Sequence, residues 1–320
     1  MKRFCVCIIS FFCVFSLFAE EQNTVRIAAL AGSSGIGMAY LFSNPPVFDS
    51  HTTSSFEIAG SVNVFLPKLL HGEVDIGILP PNVAAKLYNL DSNSVVAGAI
   101  VGNDMLTLIT RDTSIKSITD LKGKHISVAG QGATPEYVTK TLLKHAGLSD
   151  SDLNLNFSIP TQEIPAALIS NKIAYAIVPE PFATVATLKT ASDEHPVYRA
   201  LYFKNLWNSI DTENDFPMTL CVIRKEFAEK KPDIVRAFLS AYQDSIKQTI
   251  SNPNTAGQIV EKMGFGIKSA IAEKAIPSCN FVYIPATEGR PAIERLLSVF
   301  LEYAPNAIGG KLPDDGFYFK

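Results

Sequence analysis

The chain has 320 residues, 47% of them hydrophobic and 18% charged, with a formal net charge of -3. That is more chain than one core usually organises, so two lobes are expected. Lys and Arg are scattered and nearly balanced by acids, which leaves no electrostatic footprint for nucleic acid and excludes it as a partner.

The first residues read as an export signal, assigned to residues 1–19. Lys2 and Arg3 give a positive start, Phe4 to Phe18 an apolar run, and Ala19 a small residue before Glu20 and Glu21. The run is short for a membrane span. Ser10, Phe11 and Phe12 make Cys13 a poor lipidation site, so an exported, soluble mature chain is expected. Cys5, Cys7 and Cys13 leave with the signal. Cys221 and Cys279 remain, either as a disulfide in an oxidising compartment or as two small buried apolar residues; spacing leaves both open.

Strand-to-helix units then follow one another. Val25 to Leu30 reads as a buried strand, Ala31 to Gly35 as a loop, and the segment with Met38, Tyr40 and Leu41 as a helix. Phe56 to Ala59 is a second strand. The helix after Ser61 carries Val64, Leu66, Leu69 and Leu70, and Pro67 should kink or shorten it. Val74 to Leu79 is a strand ending in Pro80, Pro81 and Asn82, with Val83 to Tyr88 helical behind it. Val95 to Val101 and Met105 to Thr110 are strands on either side of a first crossing.

Ile118 to Gly147 is the most informative stretch. The strand Lys124 to Gly130 enters the loop Gly130, Gln131, Gly132, Ala133; Thr134 stands at the N-cap position, Pro135 at the first helical position, and Gly147 past the last turn. Such a helix start offers unpaired N–H groups and a positive dipole end. Leu153 to Ile159, a helix from Glu163 to Ser170, the strand Ile173 to Val178, and a helix from Phe182 to Leu188 continue the pattern, which predicts parallel α/β sheets. Met218 to Arg224 is a strand bringing the chain back after a second crossing near Phe216. Helices are expected from Pro232, through Ala270 to Ile276, and through Ala292 to Tyr303, with a turn-rich tail.

Ligands of open α/β sheets gather at the carboxyl ends of strands. Four strand ends therefore form the candidate site: Gly32, Ser33, Ser34 and Gly35; Pro80, Pro81 and Asn82; Gln131, Gly132, Ala133 and Thr134; and Glu180 with Phe182. Phe216 is added as a ring able to stack on a flat ligand. These are recognition groups more than catalytic ones. No dinucleotide spacing, phosphate loop or nucleophile elbow occurs, and the five histidines lack metal-ligand spacing, so no catalytic residue, metal or cofactor is expected.

The phrases DLKGKHISVAGQGATPEYV, ALISNKIAYAIVPEPFATVA and CVIRKEFAEKKPDIVRAFLSAY, with HGEVDIGILPPNVAAKLYN and IGGKLPDDGFYF, resemble the solute-binding proteins of ABC importers. The group is the nitrate, sulfonate and taurine type, which also holds pyrimidine-precursor binders. The resemblance implies a type II periplasmic-binding fold: two α/β lobes joined by a two-crossing hinge, lobe 1 from 24–104 and 221–320 and lobe 2 from 105–220. It further implies a periplasmic monomer that closes over a small molecule, sulfonate-like or heterocyclic, and delivers it to permease subunits. Where relatives usually carry a Gly and then an acid, this chain has Asn171 to Ala176, with Ala174 in the acid's place. An enzyme of the same fold acting on a heterocycle, or a sensory protein, are the alternative readings.

Overall fold

The computed structural model describes residues 23–149 and 151–320; the segment 1–19 read as an export signal, with its three cysteines, lies outside them. Eleven strands form among the described residues. Asn23–Leu30 (β1), Thr52–Ala59 (β2), Ile76–Leu79 (β3) and Val95–Asn103 (β4) precede the first crossing. Leu106–Thr110 (β5), His125–Val128 (β6), Asn154–Asn156 (β7), Tyr175–Pro179 (β8) and Tyr198–Tyr202 (β9) lie between the crossings. Pro217–Arg224 (β10) and Phe281–Pro285 (β11) follow the second.

They make two sheets, ordered β11-β4-β10-β3-β1-β2 and β7-β6-β8-β5-β9. The sheets are mixed rather than parallel. β1 pairs in parallel with β2 and β3, and β6 with β7 and β8, but β10 runs antiparallel to β3 and β4, and β5 antiparallel to β8 and β9. The reason lies in the crossings. β1 to β4 and β6 to β9 run toward the edge where the sheets meet, whereas β5 and β10 start there from the crossings and β11 starts there beside β4, and these three run away from it. All of β10 from Pro217 pairs in the first sheet, so the return to that sheet is complete at 217 rather than at 221.

β9 and β11 gave no strand signal in the sequence, and both are edge strands. The helix Pro253–Met263 was hidden by Gly257. A Cβ there would stand 2.7 Å from the carbonyl oxygen of Ser269, so a helix former is excluded where Pro253–Met263 packs on Ser269–Ala275. The helix Val62–Leu70 continues through Pro67 and buries Phe65 and Leu69, leaving Val64 and Leu70 exposed, a different face from the one expected. The long helix Pro232–Ser251 buries Val235, Phe238, Leu239, Tyr242 and Ile246 as its periodicity predicts.

One hydrophobic core runs through both sheets, and a smaller one around Ile164, Leu168 and Val178 fills another face of the second sheet. The helix Arg290–Tyr303 ties the two sheets together. The Tyr137 ring from the second half meets Phe300 edge-on at 4.8 Å and stacks near Tyr303 at 6.1 Å, with a Lys144–Glu302 ion pair beside them. Cys221 and Cys279 are buried free thiols, so the reading as small apolar residues holds. Burial alone pushes the Cys221 thiol far up, and it is the leading cause at Cys279 as well, which keeps both uncharged.

Candidate ligand-binding cleft

Strand directions bring the four predicted loops to one place. β1 and β3 end at Leu30 and Leu79, and β6 and β8 at Val128 and Pro179; the β5 start, Leu106, is opposite Pro179. Only Asp104 and Met105 separate β4 from β5, so the carboxyl ends of the two sets of strands meet at the crossings. A cavity of about 600 Å³ beside Arg111, Asp193 and His195 lies at the other end of the second sheet, where β5 finishes and β8 begins, and belongs to no strand-end loop.

The residues at the cleft divide by what their polar atoms already hold. Asn82 is 5% exposed in the first turn of the helix Pro81–Leu90, and its Oδ1 has no hydrogen-bond partner. Thr134, 2% exposed, opens the helix Thr134–His145 on the other sheet, and its Oγ1 is equally unpaired. Asn103 at the end of β4 is a third buried residue with an unpaired Oδ1. Leaving such an atom unmade costs about 1–3 kcal/mol each, which a ligand filling the cleft would recover. Gln131 and Gly132 are exposed on the same loop, Ala133 half-buried.

Thr134 does not cap its helix. Ala133 is the N-cap, with no side-chain capping bond, and Glu136 reaches back to the loop: its Oε2 accepts the Gly132 N–H at 2.8 Å while Oε1 pairs with Lys140 at 2.6 Å. Glu136 was missed in the sequence, although an acid at that position is a capping signal.

Glu180 is 1% exposed and fully engaged. Its Oε1 takes the Arg199 guanidinium at 2.9 and 2.5 Å; its Oε2 accepts the Thr184 N–H at 3.1 Å and hydroxyl at 2.7 Å. It anchors the helix Phe182–Lys189 to β9 and keeps no lone pair turned to a ligand. Glu180→Gln will leave the partly buried Arg199 without its counter-charge and lower stability by about 2 kcal/mol; chemical denaturation checks this, and an unchanged midpoint would refute the anchoring role.

Gly35 is also structural. A Cβ would come within 2.3 Å of the Leu30 carbonyl oxygen and 2.7 Å of the Phe265 ring. Gly32, at φ 96, donates its N–H to the Phe265 carbonyl at 3.3 Å, and Ser33 and Ser34 open the short helix Ser33–Ile36. Pro80 is half-buried and Pro81 buried. Phe182 is half-buried against the smaller core. Phe216 is fully buried, edge-on to Trp207 at 5.3 Å, which takes it out of the cleft wall and into the packing of the second crossing.

That crossing meets the first through Asp104, a buried residue at φ 47. Its backbone N–H donates to the Phe216 carbonyl at 3.1 Å, and its Oδ1 accepts the Phe216 N–H at 2.9 Å. Asn280 Nδ2 donates to Oδ2 at 3.2 Å, and Lys204 stands 3.9 Å from Asp104 and 3.8 Å from Asp215. Asn171 takes φ 57, a left-handed backbone that asparagine adopts more readily than most side-chain-bearing residues. Among the described residues no group of three or more His, Cys, Asp or Glu could hold a metal ion, and no helix is long and apolar enough to cross a membrane.

A family model described as NMT1/THI5 like matches residues 61–256, more than half of the chain. The chain belongs to the NMT1/THI5-like family. No curated protein matches it. Among solved structures it is similar to an ABC transporter protein from Parabacteroides distasonis, 25% identical over 93% of this chain and 99% of that one, with a TM-score of 0.80. It is similar in fold to the periplasmic aliphatic sulphonate binding protein SsuA from Escherichia coli, at 16% identity, 93% and 92% coverage and a TM-score of 0.75. The periplasmic nitrate-binding protein NrtA from Synechocystis PCC 6803 follows, at 13% identity, 89% and 82% coverage and a TM-score of 0.65. This NMT1/THI5-like chain thus has the type II periplasmic-binding fold, two α/β lobes on a two-crossing hinge.

Proposed function

We propose that the chain is the extracytoplasmic solute-binding component of an ABC importer, a periplasmic monomer that captures a small organic molecule and hands it to permease subunits. The lobes are 24–104 with the segment from Pro217 onward, and 105–216; the ligand contacts are drawn from Asn82 on one lobe, Gln131 to Thr134 on the other, and the loops at Gly32 to Ser34 and Pro80. The single observation that carries this reading is the pair of buried, unpartnered polar atoms, Asn82 Oδ1 and Thr134 Oγ1, on opposite sides of the crossings. A ligand bonded to both is bound better by the closed state than by the open one, and that difference in affinity is what drives hinge closure.

The test is to purify the protein from rich medium, denature it, identify any released molecule by mass spectrometry, and titrate that molecule back onto refolded protein. Saturable binding without turnover, with a smaller radius of gyration in X-ray scattering, is the expected result. Consumption of the molecule, or an unchanged shape at saturation, would refute it.

A further inference from the structure

The lobes touch away from the crossings as well as at them, and one helix makes much of that contact. Arg290–Tyr303 belongs to the first lobe: it packs on the helix Pro81–Leu90, which carries Asn82, and buries Ile293, Leu296, Leu297 and Val299. Arg295, in its second turn, is fixed to the second crossing. Its Nε donates to Asp211 Oδ2 at 3.0 Å, and its guanidinium lies 5.3 Å from the Trp207 ring centroid. Both partners hold the crossing itself: Asp211 Oδ1 accepts the Asn214 N–H at 3.0 Å, and Trp207 Nε1 donates to the Asn214 carbonyl at 2.8 Å. A contact beside the pivot keeps its partners as the lobes turn.

Phe300 and Tyr303 stand further along the same helix, roughly 7 and 12 Å beyond Arg295. There they meet Tyr137 of the second lobe, Phe300 edge-on at 4.8 Å and Tyr303 stacked at 6.1 Å with the planes 25° apart. Tyr137 follows Thr134 at helical spacing, so the ring that reaches the other lobe and the hydroxyl assigned to the ligand ride on the same turn. A rigid-body rotation displaces groups in proportion to their distance from the axis, so this contact is made as the lobes approach and lost as they part. It uses no group of the ligand cleft and therefore favours closure with or without a guest. The neighbouring Lys144–Glu302 pair is 70% and 48% exposed and adds little. Resting on the binding-protein reading above, we infer that Tyr137 is a positioning residue: with Phe300 and Tyr303 it forms an aromatic latch that sets the closed fraction of the protein, and through it the affinity, without touching the ligand. The apparent dissociation constant rises in inverse proportion to that fraction.

The test needs no ligand. Ser61→Cys, just past the edge strand β2, and Ser158→Cys, just past the edge strand β7, place nitroxide labels at exposed points on the outer margins of the two sheets. The protein is unfolded, refolded free of ligand and then labelled, when Cys221 and Cys279 are buried, and double electron–electron resonance reads the distance between the labels. Relative to the shorter-distance population, the longer one is expected to grow about tenfold in Tyr137→Leu, which loses both ring contacts, and about threefold in Tyr303→Leu, which loses one. Tyr137→Phe keeps both rings and should match wild type. Because Phe182–Lys189 also meets Ser269–Ala275 across the lobes, the closed population should shrink rather than vanish. Identical distributions in wild type and a folded Tyr137→Leu would overturn the inference, as would equal opening in Tyr137→Phe. If Tyr137→Leu does not fold, Tyr303→Leu, at a half-buried position, decides by the same comparison. Compaction on ligand with unaltered distributions in the variants removes the latch and leaves the binding function standing. Failure of any ligand to bind removes that function, while the label distances still decide the latch.

Discussion

Thr134→Val combined with Asn82→Leu will reduce affinity for the co-purifying ligand about a hundredfold, while the unligated protein melts at the same temperature or higher. Each change removes one hydrogen bond to ligand, worth about 1.4 kcal/mol or a factor of ten, and the two residues sit on different lobes, so the losses add. Stability moves the other way because each replaced atom is buried and unpaired in the empty protein. Valine matches threonine in shape and leucine approximates asparagine, so the penalty for an unmade bond is removed without opening a cavity. Calorimetric titration gives the affinity and thermal unfolding the stability. Undiminished affinity in the double variant would place the ligand elsewhere. A loss of several degrees in the empty state would show that the two polar atoms have partners within the fold.

The divergence of effects distinguishes this site from its surroundings. At Glu180 the polar atoms are saturated, so substitution costs stability; at Asn82 and Thr134 they are held in reserve. A candidate binding residue is marked here by a polar atom without a partner, and the sequence shows residue types but not their pairing. That is why Glu180 reads as a ligand contact from its place between two prolines, and why its partner Arg199, far along the chain on the silent edge strand β9, could not be paired with it. Phe216 misleads in the same way: an aromatic near a hinge is as ready to pack on Trp207 as on a guest.

What was legible follows from local periodicity. Fully buried strands such as Val95–Asn103 and Leu106–Thr110, and the long amphipathic helix Pro232–Ser251, announce themselves because burial on fixed faces dictates apolar spacing. The edge strands β9 and β11 have partly exposed faces and need no such spacing. Strand direction in the sheets was also out of reach, since the reversal of β5 and β10 is set by where the chain crosses, a property of topology rather than composition. The loops themselves were legible because glycine and proline mark where strands stop.

Raising the pH from about 5 to 8 will lower the stability of the wild-type protein through Asp104, and Asp104→Asn will remove that part of the dependence. The Asp104 carboxyl is pushed up to about 7, chiefly by burial; the Phe216 N–H works against this, the Asp215 carboxylate adds to it, and Lys204 opposes it. An unfolded aspartate titrates near 3.9. Between those values the folded chain holds a proton that the unfolded chain has released, so this contribution is complete below about 4 and is lost as pH rises through about 7. About 1.4 kcal/mol per unit puts the full span near 4 kcal/mol. Asparagine keeps an oxygen for the Phe216 N–H and tolerates the left-handed backbone at φ 47. Its Nδ2 takes the place of the Oδ2 that accepts from Asn280, so the Asn280 amide must turn over to present its oxygen. A protonated Asp104 donating from that oxygen requires the same turn, so the variant should behave as a permanently protonated Asp104. Thermal unfolding of both proteins from pH 5 to pH 8 reads this out, and parallel curves would refute the assignment. Because Asp104 lies on one crossing and Asp215 beside the other, with Lys204 about equally far from both, ionisation sets two like charges across the strands on which the lobes turn. Ligand affinity measured over the same range should therefore fall with pH in wild type and stay level in Asp104→Asn, placing the proton at the hinge rather than on the ligand.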